Sequence, residues 1–440
     1  MFQHACHLRL LQRMPVVMAV AVAIPPLAPG LASRAGRVLS LQVSGRASQV
    51  RGVHSVTVPC RSNGAIRLSI LPPPSASASA SASASSPTLL YLPAGPLLAD
   101  HAPARPDHDA QTVAALSAAS GATVVCVNYR LAEAHRFPTP VHDVLTAWDW
   151  VLHNLVDPKS SSARLGVCGE LLGANLATTL ALTECHDHGP HIAAAAVNNP
   201  LVDWILPPDL VRCDDDVDGT HDESDDGFLE QLQDIAGVSL APGRRRRKQH
   251  RRPSWDAHGD NPALPAAAVT RARAAFFHDQ DGYFDPFASP IHFLRTPGLA
   301  FTAPPKSDDA FASDWDEETT PPSTASPYHG LRATVEPRRR SYRAYPPTAA
   351  GLRLPVMSVS AGEASPLRDQ AEELVRLVQR SVKHDSGGSR DEALDRCALL
   401  LRPGVGHWTG AHRAPDWRRE VEALGAWFRD VLAKDDDDKL

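Results

Sequence analysis

Arg164-Leu-Gly-Val-Cys-Gly-Glu-Leu-Leu-Gly-Ala-Asn-Leu-Ala177 sets three structural signals in a row. Leu165 to Cys168 is an apolar run of the length and character of a buried strand. Gly169 and Gly173 bracket a tight corner. Ala174 to Leu182 then continue with residues that favour a helix. A buried strand turning through glycines straight into a helix is a repeating unit of parallel sheets covered by helices. The residue at the apex of this corner is Leu171.

The same rhythm extends in both directions. Upstream, Val53 to Pro59 and Ala65 to Leu71 alternate as strands, with Ser62-Asn-Gly64 as their hairpin turn. Thr88 to Leu92 is a short buried strand, followed by a helix over Asp109 to Ser120 and a strand over Thr123 to Asn128. Val144, Leu145, Trp148, Val151 and Leu152 fall at helical spacing within Val141 to Leu155. Downstream come a strand over Ile192 to Val197 and, much later, a strand over Leu354 to Ser360 with a helix over Pro366 to Gln379. A polar loop, a strand over Cys397 to Leu401 and a helix over Trp417 to Leu432 complete the series.

Composition bounds what lies between. The chain has 440 residues, a net charge of −6, 39 prolines and seven cysteines. That length exceeds one α/β domain of about 250–300 residues, so extra material is expected. Residues 72–87 form a Ser-Ala loop too poor in apolar residues to pack. From 203 to 352 the alternation lapses into an acidic tract (Asp214 to Asp226), a basic one (Arg244 to Arg252) and two proline-rich stretches. Only Phe284 to Ile291 reads as ordered there, and the rest is expected to be a disordered insertion. The α/β domain is therefore expected in two parts, 53–202 and 353–440.

Residues 1–52 contain no Asp or Glu and are dotted with Arg9, Arg13, Arg34, Arg37, Arg46 and Arg51. This resembles a mitochondrial (matrix) transit segment. A secretory signal, with Val16 to Ile24 as its apolar core, is the alternative. Pro25 and Pro26 end that run well short of the ~18–20 residues of a membrane span, so no transmembrane segment is expected. The cysteines show neither metal-ligand spacing nor a disulfide pattern. No cofactor or metal is expected: the calcium-loop-like run Asp214 to Asp225 lacks flanking amphipathic helices. The basic tract lacks interleaved aromatics, so specific nucleic-acid binding is not expected. The closing Asp-Asp-Asp-Asp-Lys439-Leu440 resembles a tag sequence but reads equally as a charged tail.

The order of motifs resembles the hormone-sensitive-lipase-like carboxylesterases (α/β-hydrolase fold-3). Val124 to Pro138 carries Tyr129-Arg-Leu-Ala132 and Phe137-Pro138. Asp143, Asp157-Pro158, Gly169-x-x-x-Gly173, Asp285-Pro-Phe-Ala-Ser-Pro290, Gly362-x-x-x-Pro366 and Gly406-His407 follow in the family's order. The resemblance implies an α/β-hydrolase fold: a mostly parallel eight-stranded sheet with helices on both faces. It also implies hydrolysis of small acyl esters.

Each implied catalytic position departs from that pattern except one. Gly169 and Gly173 frame the elbow that should present a serine, but the apex is Leu171, which has no lone pair with which to attack a carbonyl. The acid position is Ser365, which carries no charge. Glu363 lies two residues earlier, on a different face. The oxyanion loop corresponds to Pro93-Ala94-Gly95-Pro96, whose last residue has no N–H to donate, with Leu172 as the other donor position. His407, the base, remains, and is expected to lack partners. Cys168 is expected to be a core residue rather than a substitute nucleophile. The expected function is a divergent, non-catalytic hydrolase fold that binds an unidentified protein partner or small acyl-type ligand. The alternative is an esterase with rewired catalysis through His407.

Overall fold

The computed structural model describes residues 53–60, 64–74, 87–95, 106–156, 163–209, 252–302, 334–337, 340–347, 349–386, 390–410 and 412–433. All lie within the compact unit Val50–Leu440. The proposed targeting segment, most of the Ser-Ala loop, the acidic tract, nearly all of the basic tract and the Asp-Asp-Asp-Asp-Lys tail fall outside the described residues.

Eight strands form the central sheet. They are β1 (His54–Pro59), β2 (Ala65–Leu71), β3 (Thr88–Leu92), β4 (Thr123–Asn128), β5 (Arg164–Glu170) and β6 (His191–Asn198), joined after a separate antiparallel pair, β7 (Leu299–Thr302) and β8 (Thr334–Pro337), by β9 (Val356–Gly362) and β10 (Cys397–Arg402). The spatial order is β1-β2-β4-β3-β5-β6-β9-β10. Only β2 pairs antiparallel, with β1 and β4; all other neighbours in this sheet are parallel. This is the α/β-hydrolase fold, and β5, carrying the corner, sits near its centre.

The two-residue period of the strands explains how one sheet feeds two cores. Leu90 and Leu92 of β3 and Val125 and Val127 of β4 face one core, with Trp148, Leu176 and Leu180. Leu89 and Tyr91, with Val124 and Cys126, face the other, with Leu116 and Phe428. The first face is covered by α2 (Thr139–Asn154) and α3 (Leu172–Thr183), the second by α1 (Pro106–Ser120) and, near the C-terminus, Trp417–Ala433. Every residue of β3 is buried, so β3 is a continuous apolar run, as expected of a parallel strand covered on both faces.

Between β6 and β9 the structure adds ordered elements to a stretch in which only Phe284 to Ile291 was expected to be ordered, while residues 210–251 and 303–333 lie outside the described residues. Residues 252–302 contain two helices, α4 (Ser254–His258) and α5 (Ala266–Phe276), ahead of the family-like segment near Asp285. Their sequence hides them: α4 has five residues, and α5 buries only Ala268, Val269 and Phe276. So few apolar positions leave little helical period to read. The polar loop after α6 (Arg368–Ser386) likewise holds a short helix, α7 (Arg390–Arg396); Trp417–Ala433 is α8.

The family-like Tyr-Arg-Leu-Ala segment has a structural task. Arg130 donates from Nε to Asp143 Oδ2 at 3.0 Å and from Nη2 to Oδ1 at 2.7 Å, and its backbone N–H reaches Oδ2 at 2.8 Å. Asp143, on α2, is fully buried, so the exit of β4 is tied to the helix beneath the sheet. Removing one partner of a buried pair strands the other and costs ~3–5 kcal/mol. Because Arg130 keeps some contact with water, Asp143→Ala should lose about 3 kcal/mol in urea unfolding, the low end of that range. A loss under about 1 kcal/mol, the scale of an exposed ion pair, would contradict this role.

Candidate active site

At the end of β5 the chain turns through Leu171, with φ 53° and ψ −112°, directly into α3. Positive φ is rare for a side-chain-bearing residue and costs ~1–3 kcal/mol, so surrounding structure must impose it. The two glycines show how. A Cβ at Gly173 would lie 2.1 Å from the Leu92 carbonyl oxygen and 2.3 Å from that of Pro93, and one at Gly169 would lie 2.4 Å from the Gly173 oxygen. Backbone packs on backbone at the corner, leaving Leu171 to absorb the turn. Its N–H donates to Asn198 O at 3.0 Å, and its carbonyl accepts from Asn175 N at 3.0 Å.

What a nucleophile elbow would present to substrate is buried here. Leu171 is fully buried within an apolar cluster that includes Leu172, Ala94, Trp204, Phe276 and Phe277. Trp204 stacks on Phe276 with centroids 5.3 Å apart, and Phe277 meets both edge-on. Phe276 at the end of α5, Phe277 just after it and Trp204 from the loop after β6 thus pack in one aromatic cluster with Leu171.

The oxyanion-loop positions are similarly filled. Tyr129 donates its hydroxyl proton to Pro93 O at 2.7 Å, which pins the loop. Ala94 is buried, and a Cβ at Gly95 would lie 3.3 Å from Leu172 Cδ2. The Leu172 side chain therefore lies against the loop whose backbone donors would face an oxyanion. Pro96 falls outside the described residues.

His407 does not lack partners, contrary to the sequence expectation. Its Nδ1 lies 3.2 Å from Oε1 of Glu170, the residue before the apex, and both side chains are fully buried. The His407 loop is further anchored from β6: Asn198 Nδ2 donates to Gly406 O at 2.8 Å and Asn199 Nδ2 to Val405 O at 2.8 Å. Ser365 is buried but spends its hydroxyl locally, accepting from Leu367 N at 3.2 Å at the start of α6. Glu363 is exposed. Sequence reading missed Glu170, Asn198 and Asn199. The available signal was an acid and two amides ending otherwise apolar strands, an arrangement that burial makes costly unless each is hydrogen-bonded.

Cys168 is fully buried in the second core, and burial pushes its thiol well above the ordinary value, which disfavours the thiolate that a nucleophile needs. Among the described residues no group of three or more His, Cys, Asp or Glu is placed to hold a metal ion, and no helix is long and apolar enough to cross a membrane.

Similarities to known proteins agree with this architecture. Residues 102–305 match the family described as alpha/beta hydrolase fold. A 62-residue stretch is 42% identical to the ethyl acetate hydrolase of Pseudomonas putida, covering 14% of this chain and 20% of that protein. The chain thus aligns with only a fifth of that relative's length. Among solved structures, the hyperthermophilic esterase from the archaeon Pyrobaculum calidifontis is similar with a TM-score of 0.50 and 19% identity, over 88% of this chain and 85% of its own. Carboxyl esterase 2 from the mycorrhizal fungus Tuber melanosporum is similar with a TM-score of 0.51 and 16% identity, over 88% and 89% of the two chains.

Proposed function

We propose that this chain, a member of the α/β-hydrolase superfamily with an esterase-like fold, no longer hydrolyses esters and uses the fold as a binding or assembly scaffold. One observation carries the reading: the elbow apex is a fully buried leucine, with the next leucine packed against the oxyanion loop. An acyl transfer needs a nucleophile within reach of a carbonyl and donors for the developing oxyanion. A hydrocarbon side chain holds the nucleophile's place, and a second lies against the loop that would supply the donors. The occupant of the scaffold is a protein partner or a small acyl-type ligand.

The purified chain is therefore expected to turn over p-nitrophenyl acetate no faster than its His407→Ala variant. Turnover that His407→Ala abolishes would replace this reading with a rewired esterase. The contact between His407 and Glu170 favours that second reading, because it leaves the base with a carboxylate neighbour.

As part of the same proposal the protein resides in mitochondria, a reading supported by the acid-free, arginine-dotted residues up to Gly52. N-terminal sequencing of the chain from fractionated cells should find a start in the forties or fifties. Secreted or N-glycosylated material would contradict it.

A further inference from the structure

Glu170 is the last residue of β5, and among the described residues every hydrogen-bond partner of its buried carboxylate is a donor or the histidine ring. Oε1 receives Asn198 Nδ2 at 3.0 Å and Trp408 N at 2.8 Å, and faces His407 Nδ1 at 3.2 Å. Oε2 receives Thr409 N at 3.2 Å and Thr409 Oγ1 at 2.6 Å. We propose that Glu170 has taken over from position 365 the task of orienting the His407 imidazole, so that the base retains an acid partner supplied by the residue before the corner.

Three observations converge on this. The acid position implied by the family resemblance is unavailable, because Ser365 carries no charge and caps its own helix. The carboxylate and the His407 loop belong to one network, since Asn198 Nδ2 donates both to Glu170 Oε1 and to Gly406 O. Nε2 of His407 is buried and has no hydrogen-bond partner among the described residues. An acceptor carboxylate at Nδ1 places the ring proton there and leaves Nε2 with its lone pair, the tautomer a general base requires. Glu170 is in this sense a positioning residue: it acts through His407.

The assignment does not rest on the absence of activity, because a held imidazole is a property of the folded chain. Its test uses Leu171→Ser/Leu172→Ala, which restores a hydroxyl and clears the oxyanion loop. With a fluorophosphonate probe, the introduced hydroxyl would pass its proton to Nε2 as the Oγ–P bond forms and the P–F bond breaks, releasing fluoride. Labelling of this variant is expected to fall by on the order of 10²–10⁴-fold when Glu170→Gln is added, and to change less than about twofold when Ser365→Asp is added. The tautomer is read independently in the unaltered chain by ¹⁵N NMR, with a protonated Nδ1 and a bare Nε2 expected. A proton on Nε2, labelling that survives Glu170→Gln, or labelling that appears only with Ser365→Asp would overturn the assignment. If the multiple variants do not fold, the tautomer alone decides. Ester hydrolysis by the unaltered chain would refute the non-catalytic reading and leave this measurement standing.

Discussion

Leu171→Ser alone is expected to leave the turnover of a short-chain p-nitrophenyl ester at background. The new hydroxyl would occupy the strained apex, and His407 would have Glu170 beside it, so the missing acid at position 365 is not the main obstacle. The obstacle is the oxyanion. Leu172 lies against Gly95, and Pro96 has no N–H to offer wherever it sits. Loss of one oxyanion donor costs ~10²–10³ in rate, and here the loop is also shielded by a side chain. A serine placed in this buried apolar cluster must further admit substrate past Trp204, Phe276 and Phe277. Stopped assays at high enzyme concentration should find no rate above that of the Leu171→Ala control. Turnover at even a hundredth of an ordinary esterase rate would show that the site is more open than its packing indicates.

Gly173→Ala is expected to have the largest effect on stability. The added carbon would sit 2.1 Å from one carbonyl oxygen and 2.3 Å from another, both on the fixed backbone at the end of β3. No rotamer relieves a backbone clash, so β3 and α3 must part at the centre of the sheet. A cost above about 4 kcal/mol is expected, a large share of the ~5–15 kcal/mol that holds a domain together. Gly189→Ala makes the contrast. Its Cβ meets nothing within 4 Å, and only its φ of 82° resists substitution, so a loss of about 1 kcal/mol is expected. Thermal melts followed by circular dichroism should show Gly173→Ala unfolded or insoluble and Gly189→Ala shifted by only a few degrees. Comparable melts for the two would mean that the corner tolerates a side chain and that its glycines do not hold Leu171 in place.

The two variants mark what could be read from the chain and what could not. Gly169, Gly173 and the apex between them were legible because a tight strand-to-helix turn writes itself in local residue types. Strands β3 to β6 were legible for a similar reason: each is a short apolar run bounded by polar or glycine residues. The insertion helices were not, since α5 is built from alanines and arginines with few positions to bury. Glu170 was the larger omission. In the sequence it is one acid at the end of an apolar strand, and its partner His407 is 237 residues away. Only the parallel pairing of β5 with β6, which sets Glu170 opposite Asn198, brings the acid, the amide and the histidine loop together. The packing of Leu172 is also tertiary: it was visible as a bulky residue, but its contact with Gly95 depends on how the loop after β3 folds back.

On the proposed non-catalytic reading, the corner should be inert to reagents that capture activated hydroxyls. Intact-mass analysis of the unaltered chain after prolonged exposure to a fluorophosphonate probe reads this out. The mass is expected to remain unchanged. A single stoichiometric adduct that disappears in the His407→Ala variant would contradict that expectation and show that this fold still activates a hydroxyl.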